Sequence, residues 1–268
     1  MNQVPDRTGS LLGPDDPPAV SIVDGDAAAS VIVVCDHASN AIPASLGRLG
    51  LSERDLATHV AHDVGAARVA RQLSRQLDAP AVISGYSRLV IDCNRRLDQE
   101  SSIITRSDGI EILGNRNLDA KEVFRRTAEI FWPYHRRIGD GITGFAQRGI
   151  KPAIISVHTF TAMFGGVPRP WHVGVLWDRD PRIAALLIEA LRAIGKLEVG
   201  DNQPYSGRQH FGYSIETHAT ETGLPNVLIE IREDMVDDEA GAGLMAGLIA
   251  QALEPILADP TLYRSERF

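Results

Sequence analysis

Residues 31–43 read VIVVCDHASNAIP, and this stretch decides the fold class. Its first four residues are β-branched and no charge occurs before Asp36, so the run predicts a strand over 31–35 that is buried on both faces. Strands of this kind belong to sheets that helices cover on both sides. The strand would therefore deliver Asp36 and His37 to one edge of the central sheet of an α/β protein.

The rest of the chain alternates apolar strands with amphipathic helices. Further strands are predicted over 19–23, 81–84, 88–92, 153–157, 173–177 and 226–231. Helices are predicted over 63–78, 120–147, 180–194 and 239–257. This alternation predicts a three-layer α/β/α sandwich of the phosphorylase/hydrolase-like type, with a mostly parallel or mixed central sheet.

Some segments carry more specific expectations. Pro133 is expected to kink the second of these helices, and Asp180 to cap the third. Residues 1–17, rich in Pro, Gly and Asp, are expected to form a flexible lead-in to a single domain over 18–268. The polar residues 98–117 are expected to form a lid or binding loop, because unstructured connections of this length are uncommon.

Composition narrows the function classes. The net charge of −8 argues against a nucleic-acid-binding protein, because phosphate binding needs a basic face. Two cysteines imply no disulfide framework and suit a reducing cytosol. No apolar run approaches the roughly 18 residues of a membrane span, and no export signal is visible. A cytoplasmic protein without membrane or nucleic-acid partners is expected.

Polar side chains at the strand ends indicate a metal site. In open α/β sheets, functional groups gather beyond the carboxyl ends of the strands, where His37 and His158 are expected to lie. Together with the carboxylate of Asp63, at the start of a predicted helix, they match the ligand set of an open catalytic zinc site. Glu230, inside an apolar strand, could take the proton of a water molecule there.

Each of these residues also has a structural interpretation. Either histidine could be a hydrogen-bonded structural residue, and Asp63 could simply cap its helix. Glu230 could form a buried ion pair with Arg88 or Arg232. The other histidines are expected to be structural or surface residues, with His210 and His218 as reserve candidates: His59, His135, His172, His210 and His218.

The segment SRLVIDCNRR, residues 87–96, indicates a small anionic substrate. Arg88, Arg95 and Arg96 surround one predicted strand together with Asn94, and arginine binds carboxylates through two parallel hydrogen bonds. The alternative is that these arginines neutralise acidic neighbours, namely Asp92, Asp98 or Glu230.

Six motifs in order resemble the N-formylglutamate amidohydrolase family: VCDHASNAIP, HDVGA, SRLVIDCNR, SVHTF, NQPYSG and PNVLIEIRED. The resemblance covers residues 20 to 255 and implies a fold related to that of zinc carboxypeptidases and aspartoacylases. The implied reaction is metal-dependent hydrolysis of the formamide of N-formyl-L-glutamate, which gives formate and glutamate. Residues 18–268 would then form a metallohydrolase domain.

The resemblance also implies roles for individual residues. His37, Asp63 and His158 match the metal ligands, for zinc or another divalent metal, and Glu230 is in the place of the general base. The residues expected to bind the carboxylates of a small N-acyl amino acid are Arg88, Asn94, Arg95 and, beside Glu230, Arg232.

Departures from the family pattern leave the substrate open. Asn40 follows His37 by three residues where a carboxypeptidase has a glutamate ligand, and Ser156 gives SVHTF rather than a DLHSF-like form. The chain therefore resembles a divergent branch. The alternatives are an aspartoacylase-like deacylase, a carboxypeptidase-like peptidase and a catalytically silent module that binds an anionic metabolite. The missing glutamate argues against the peptidase.

Overall fold

The computed structural model describes residues 9–25, 30–209, 212–264 and 266. The strands are β1 Val20–Val23, β2 Val31–Cys35, β3 Ala81–Ser84, β4 Arg106–Ser107, β5 Ile110–Glu111, β6 Ala153–Phe160, β7 Met163–Phe164, β8 Val167–Pro168, β9 Val173–Leu176, β10 Val199–Asp201 and β11 Asn226–Arg232. The helices are α1 Glu53–Leu56, α2 Ala66–Gln76, α3 Ala120–Arg126, α4 Trp132–Gln147, α5 Ala184–Ala193, α6 Tyr213–Ile215 and α7 Glu239–Leu257.

Seven strands form the central sheet, in the order β1-β3-β2-β6-β11-β9-β10. The four strands β3, β2, β6 and β11 run parallel to one another. β1 is antiparallel to β3 at one edge, and the parallel pair β9 and β10 is antiparallel to β11 at the other. The prediction of a mixed sheet is confirmed.

Helices cover both faces of this sheet, and β2 shows why its sequence has no polar face. Val31, Val33 and Cys35 belong to an apolar cluster that packs against α2, α5 and α7. Ile32 and Val34 point to the opposite side, into a second cluster beneath α4. Since side chains alternate along a strand, only an apolar run can fill both layers. The three-layer α/β/α sandwich is confirmed.

Helix α7 is apolar because it belongs to this core. Its length and its mean hydropathy of 1.4 over 18 residues would suit a membrane span, although the sequence was expected to contain no apolar run of that length. Residues such as Met245, Ile249 and Leu253 are buried, and α7 packs against α2 and α5. Asp238 caps its start by accepting a hydrogen bond from the Gly241 N–H at 2.7 Å.

The predicted strand over 88–92 is wrong. This segment forms a turn, in which the Val90 N–H donates to the Ser87 carbonyl oxygen at 2.9 Å. Leu89, Val90 and Ile91 are nevertheless buried, because they pack into the second apolar cluster beneath the loop that follows. An apolar run shows that a segment is buried but does not show that it pairs with another strand.

Two predicted helix features also differ. The long helix is interrupted by a π-helical turn over Thr127–Phe131, which lies between α3 and α4. Pro133 is the second residue of α4. Proline lacks the N–H that an unbroken α-helix would need, so the break is displaced ahead of it. Asp180 does not cap α5, which begins at Ala184; its carboxylate binds the side chain and N–H of Arg182 instead.

The predicted lead-in and the predicted lid or binding loop are both tied to the fold where the structure describes them. Leu11, in the predicted lead-in, is fully buried, and its N–H donates to Glu129 at 2.8 Å. Within 98–117 a short hairpin joins β4 to β5, and the Asn115 amide donates to the carbonyl oxygens of Leu89 and Ile104. Residues 1–8 of the lead-in lie outside the described residues.

Candidate metal centre

Three neighbouring parallel strands deliver the candidate residues to one edge of the sheet. His37 lies two residues beyond the end of β2, His158 lies near the end of β6, and Glu230 on β11 is directly opposite His158 in the register. Asp63 comes from the segment before α2, where its N–H donates to the His37 carbonyl oxygen at 2.9 Å. The predicted convergence of these four residues is observed.

His37, Asp63 and His158 form a compact buried triad. One candidate ligand atom from each residue lies within 4.8 Å of the other two. His158 Nδ1 is 2.7 Å from Asp63 Oδ2, and His37 Nδ1 is 3.4 Å from Asp63 Oδ1. The Asp63 side chain therefore faces both imidazoles and does not cap α2, whose N-cap is Gly65.

Each histidine has a second carboxylate behind it. His37 Nε2 is 2.7 Å from Asp92 Oδ1, and His158 Nε2 is 3.1 Å from Asp36 Oδ2. A carboxylate on Nε2 favours the tautomer that carries the proton there and leaves the lone pair of Nδ1 facing the centre. Asp36 thus orients His158 and not His37, its neighbour in the sequence.

The donor set fits a zinc ion. The Nδ1 atoms of both imidazoles face the same carboxylate, and two histidines with one carboxylate are the ligand types of open catalytic zinc sites. In the part of the chain that the structure describes, His37 Nδ1 is buried and has no hydrogen-bond partner. Such unsatisfied buried polar atoms are rare, and a metal ligand role would account for this one.

The two outer carboxylates are joined through a buried network. Asp36 Oδ1 accepts hydrogen bonds from Tyr134 Oη at 2.7 Å and from Ser214 Oγ at 2.6 Å. The Ser214 N–H donates to Asn94 Oδ1 at 3.1 Å, and the Asn94 N–H donates to Asp92 Oδ1 at 2.8 Å. Because every member has a partner, the network fixes the positions of both histidines.

Gly212 makes room for this network. It adopts a left-handed conformation with φ +92°, and a β-carbon there would lie 2.4 Å from the side-chain amide of Asn94. Ser214 follows at the start of the short helix α6 and contacts Asp36 from there. Tyr134 and Ser214 were not predicted from the sequence, because both reach Asp36 from distant parts of the chain and no local pattern indicates them.

The electrostatics of the centre keep the aspartates ionised. Burial alone would raise the pKa of Asp36, but the hydrogen bond and charge of His158 outweigh it and lower the pKa to about 2. Burial would likewise raise the pKa of Asp92, and the charges of His37 and Arg88 lower it instead. Burial would also raise the pKa of Asp63, but the charge of His37 and the hydrogen bond of His158 lower it well below its ordinary value. All three carboxylates therefore carry negative charge suited to a cation.

The pKa of Glu230 is shifted in the opposite direction, upwards. Burial raises its pKa to about 7, against the opposing charge of His158. Its Oε2 has no hydrogen-bond partner among the described residues, and it forms no ion pair with Arg88 or Arg232, the alternative considered above. A carboxyl group with a pKa near neutrality can both accept and return a proton.

The triad opens into a cavity of about 440 Å³, a size typical of small-molecule sites. The side chains that line it include the triad, Glu230, the arginine segment and the loop after β10: His37, Asp63, Arg88, Asn94, Arg95, His158, Thr159, Leu176, Asn202, Gln203, Pro204, Tyr205, Ser206, Gln209, Leu228 and Glu230.

The four residues expected to bind substrate have different surroundings in the structure. Arg88 lies in the cavity, but its guanidinium binds Asp92 at 3.1 Å and lies 3.6 Å from Asp63. Arg95 donates to the carbonyl oxygen of Asn94, and no ion pair of Arg95 occurs within the described residues. Arg232 is not part of the cavity wall, and its guanidinium binds Asp234 at 2.8 Å.

The five histidines expected to be structural, surface or reserve residues lie apart from the triad where the structure describes them. His135 Nδ1 and His218 Nε2 are 3.0 Å apart, and burial together with His218 lowers the pKa of His135 to about 4. His59 lies 3.4 Å from Asp108, and His172 Nδ1 accepts a hydrogen bond from the backbone beside β10. His210 lies outside the described residues.

This chain is similar to a known protein family and to solved protein structures. The N-formylglutamate amidohydrolase family matches residues 29–236. A solved gene product of Agrobacterium tumefaciens is 35% identical, covers 92% of this chain and 98% of its own, and has a TM-score of 0.87. The N-formylglutamate amidohydrolase of Ralstonia eutropha is 20% identical over 90% of this chain and 97% of its own, with a TM-score of 0.64. No curated protein matches in sequence.

Fold, site and family together define a hydrolase that acts on amide bonds. The chain belongs to the N-formylglutamate amidohydrolase family, because the match covers most of its length and all four residues that converge at the sheet edge. The resemblance found in the six sequence motifs is thereby confirmed.

Proposed function

We propose that this protein is a zinc-dependent amidohydrolase that removes the N-formyl group, or another N-acyl group, from an acidic amino acid such as N-formyl-L-glutamate. The observation that carries the proposal is the meeting of the His37–Asp63–His158 triad and Glu230 in one cavity. Hydrolysis of an amide needs an activated water molecule and a group that moves its proton, and this arrangement suits both needs.

The triad would hold the metal, with Asp36 and Asp92 fixing the two imidazoles from behind. A zinc ion bound there supplies a Lewis acid that lowers the pKa of a water molecule. Glu230 accepts a proton from the attacking water and returns it to the amine. A carbon–oxygen bond forms as the carbon–nitrogen bond breaks, so that a carboxylic acid and the free amino acid leave.

We assign the binding of the substrate carboxylate mainly to Arg95. The charge of Arg88 is already balanced by Asp92 and Asp63, so we assign it to the support of the centre. Arg95 lines the same cavity and forms no ion pair in the described parts of the chain, which leaves its guanidinium able to bind a substrate carboxylate. Arg232 is left out of this assignment because it lies outside the cavity wall.

A substrate panel with metal depletion tests the proposal. N-formyl and N-acetyl derivatives of glutamate, aspartate, glutamine and leucine are assayed for released amine, with orthophenanthroline and its non-chelating meta isomer as a matched pair. We expect the acidic N-acyl amino acids to be hydrolysed fastest. The chelating isomer alone should abolish turnover, and added zinc should restore it.

Two outcomes would contradict the proposal in different ways. Hydrolysis that survives the chelating isomer would exclude the metal-dependent reaction. Equal rates for the glutamate and leucine derivatives would leave the metal role intact but exclude selection of an acidic substrate by Arg95.

A further inference from the structure

The NQPYSG motif forms a fixed wall of the cavity. Asn202 Oδ1 accepts hydrogen bonds from the Trp177 N–H at 3.1 Å and from the Gly207 N–H at 2.9 Å. Gly207 lies so close to the strand end that a β-carbon would be 2.7 Å from the Trp177 carbonyl oxygen. The motif is therefore a tight loop bound to the end of β9, and it holds Tyr205 at the cavity wall.

Arg169 reaches the same tyrosine from the hairpin of β7 and β8. Its Nη1 donates to Tyr205 Oη at 3.0 Å, and its guanidinium lies 4.8 Å from the Tyr205 ring centre. On its other side, the guanidinium lies 4.6 Å from the Phe164 ring centre. No carboxylate forms an ion pair with Arg169 in the described parts of the chain, so its positive charge acts on the tyrosine.

The hydroxyl of Tyr205 remains a proton donor in this setting. Burial and the negative charge of Glu230 raise its pKa, and the charge of Arg169 only partly offsets them. Since Arg169 occupies a lone pair of the oxygen, the phenolic hydrogen is left for another acceptor. A cation that donates to a hydroxyl also strengthens the hydrogen bond that the hydroxyl itself donates.

We propose that Tyr205 is a further substrate-contacting residue, whose hydroxyl is held by Arg169 and donates a hydrogen bond to the amide carbonyl oxygen as this oxygen gains negative charge. The proton stays on the phenol throughout. Arg169 is a positioning residue that acts through Tyr205. The inference rests on the proposed hydrolysis of an amide in this cavity, and it gives the loop a role that neither the triad nor Glu230 provides.

Steady-state kinetics of Tyr205→Phe on the best amide of the panel test the proposal. Loss of one hydrogen bond to a developing oxyanion typically costs about 10²–10³-fold in kcat. We expect a loss of this order with KM little changed, because the bond matters most in the transition state. Tyr263→Phe is the matched control, since its hydroxyl binds the Leu257 carbonyl oxygen away from the cavity.

Variants of Arg169 separate positioning from stability. Arg169→Met should lower kcat, Arg169→Lys should recover part of the loss, and the double variant Arg169→Met with Tyr205→Phe should be no worse than Tyr205→Phe alone. Arg148→Met is the control, because Arg148 packs over the Phe145 ring at 4.6 Å in a similar way.

The failure of this inference is distinct from the failure of the proposed function. If the wild-type protein hydrolyses the amide and Tyr205→Phe does so at the same kcat, the role of Tyr205 is excluded while the function stands. A raised KM with unchanged kcat would also exclude it, since the hydroxyl would then bind the ground state only. A wild-type protein that hydrolyses no amide would overturn both.

Discussion

Replacement of Asp36 by asparagine tests how the buried network controls the metal ligands. In the wild-type protein Asp36 Oδ2 faces His158 Nε2 at 3.1 Å, while Oδ1 accepts from Tyr134 and Ser214. Asparagine has nearly the same shape and keeps the oxygen that these two hydroxyls need. It places an NH2 group opposite Nε2, so two donors would meet unless the His158 proton moves to Nδ1.

The proton on Nδ1 would then occupy the lone pair that the metal requires. Loss of the carboxylate that is hydrogen-bonded to a metal-ligating histidine typically weakens metal binding 10–100-fold, which is about 1.4–2.7 kcal/mol. We therefore expect Asp36→Asn to bind zinc about 10–100-fold more weakly than the wild-type protein, as measured by competition with a chromophoric chelator. Thermal unfolding without metal should show that the variant is folded.

A matched control makes the result specific. Asp238→Asn changes the same side chain at the N-cap of α7, where asparagine caps as well as aspartate, so its zinc affinity should equal that of the wild type. Unchanged zinc affinity in Asp36→Asn would refute the reasoning, because the tautomer of His158 would not then depend on Asp36.

Other predictions test separate parts of the structure. Glu230→Gln should retain zinc binding and lower kcat by at least about 10²-fold, as expected when a general base is removed; near-normal kcat would exclude Glu230 as the base. Arg95→Met should raise KM for an acidic substrate at least tenfold, about 1.4 kcal/mol, whereas Arg116→Met should not, because Arg116 is exposed, pairs with Glu111 and is not part of the cavity wall. Glu129, which anchors Leu11, has a lowered pKa because hydrogen bonds from residues 10–12 outweigh burial. Its stabilising effect is therefore complete above its ordinary pKa of 4.5 and disappears as the pH falls through the lowered value, so the difference in Tm between the wild type and Glu129→Gln should vanish in acid.

Much of the fold was predictable from runs of apolar residues. The stretch over 31–35 fills both faces of its strand, and such a strand needs helices on both sides. A similar apolar run led to the wrong prediction of a strand over 88–92, where Leu89 and Val90 are equally buried but belong to a turn. Burial follows from composition, whereas strand pairing depends on parts of the chain that a local run does not contain.

The site was predictable to the extent that it follows from strand ends. His158 and Glu230 lie on adjacent parallel strands, and His37 follows the end of the strand on the other side of β6, so their convergence follows from the topology. The partners of Asp36 come from α4 and α6, 98 and 178 residues away, and no spacing in the sequence connects them. The tautomer of each histidine depends on such distant partners and therefore needed the structure.

Which of the arginines form ion pairs could likewise not be predicted from the sequence. Arg88, Arg95 and Arg232 are equally cationic, but only the structure shows which of them has an acidic partner within reach. The role inferred for Tyr205 depends in the same way on Arg169, which lies 36 residues earlier in the chain.

The central claim is that His37, Asp63 and His158 form one metal site on which hydrolysis depends. Calorimetric titration of the metal-free protein with zinc tests it most directly, with His158→Ala as the ligand variant and His172→Ala as a histidine control outside the triad. We expect one tight site in the wild type and in His172→Ala, and none in His158→Ala. A wild-type protein that acquires no zinc, or a His158→Ala variant that binds it as tightly, would contradict this claim.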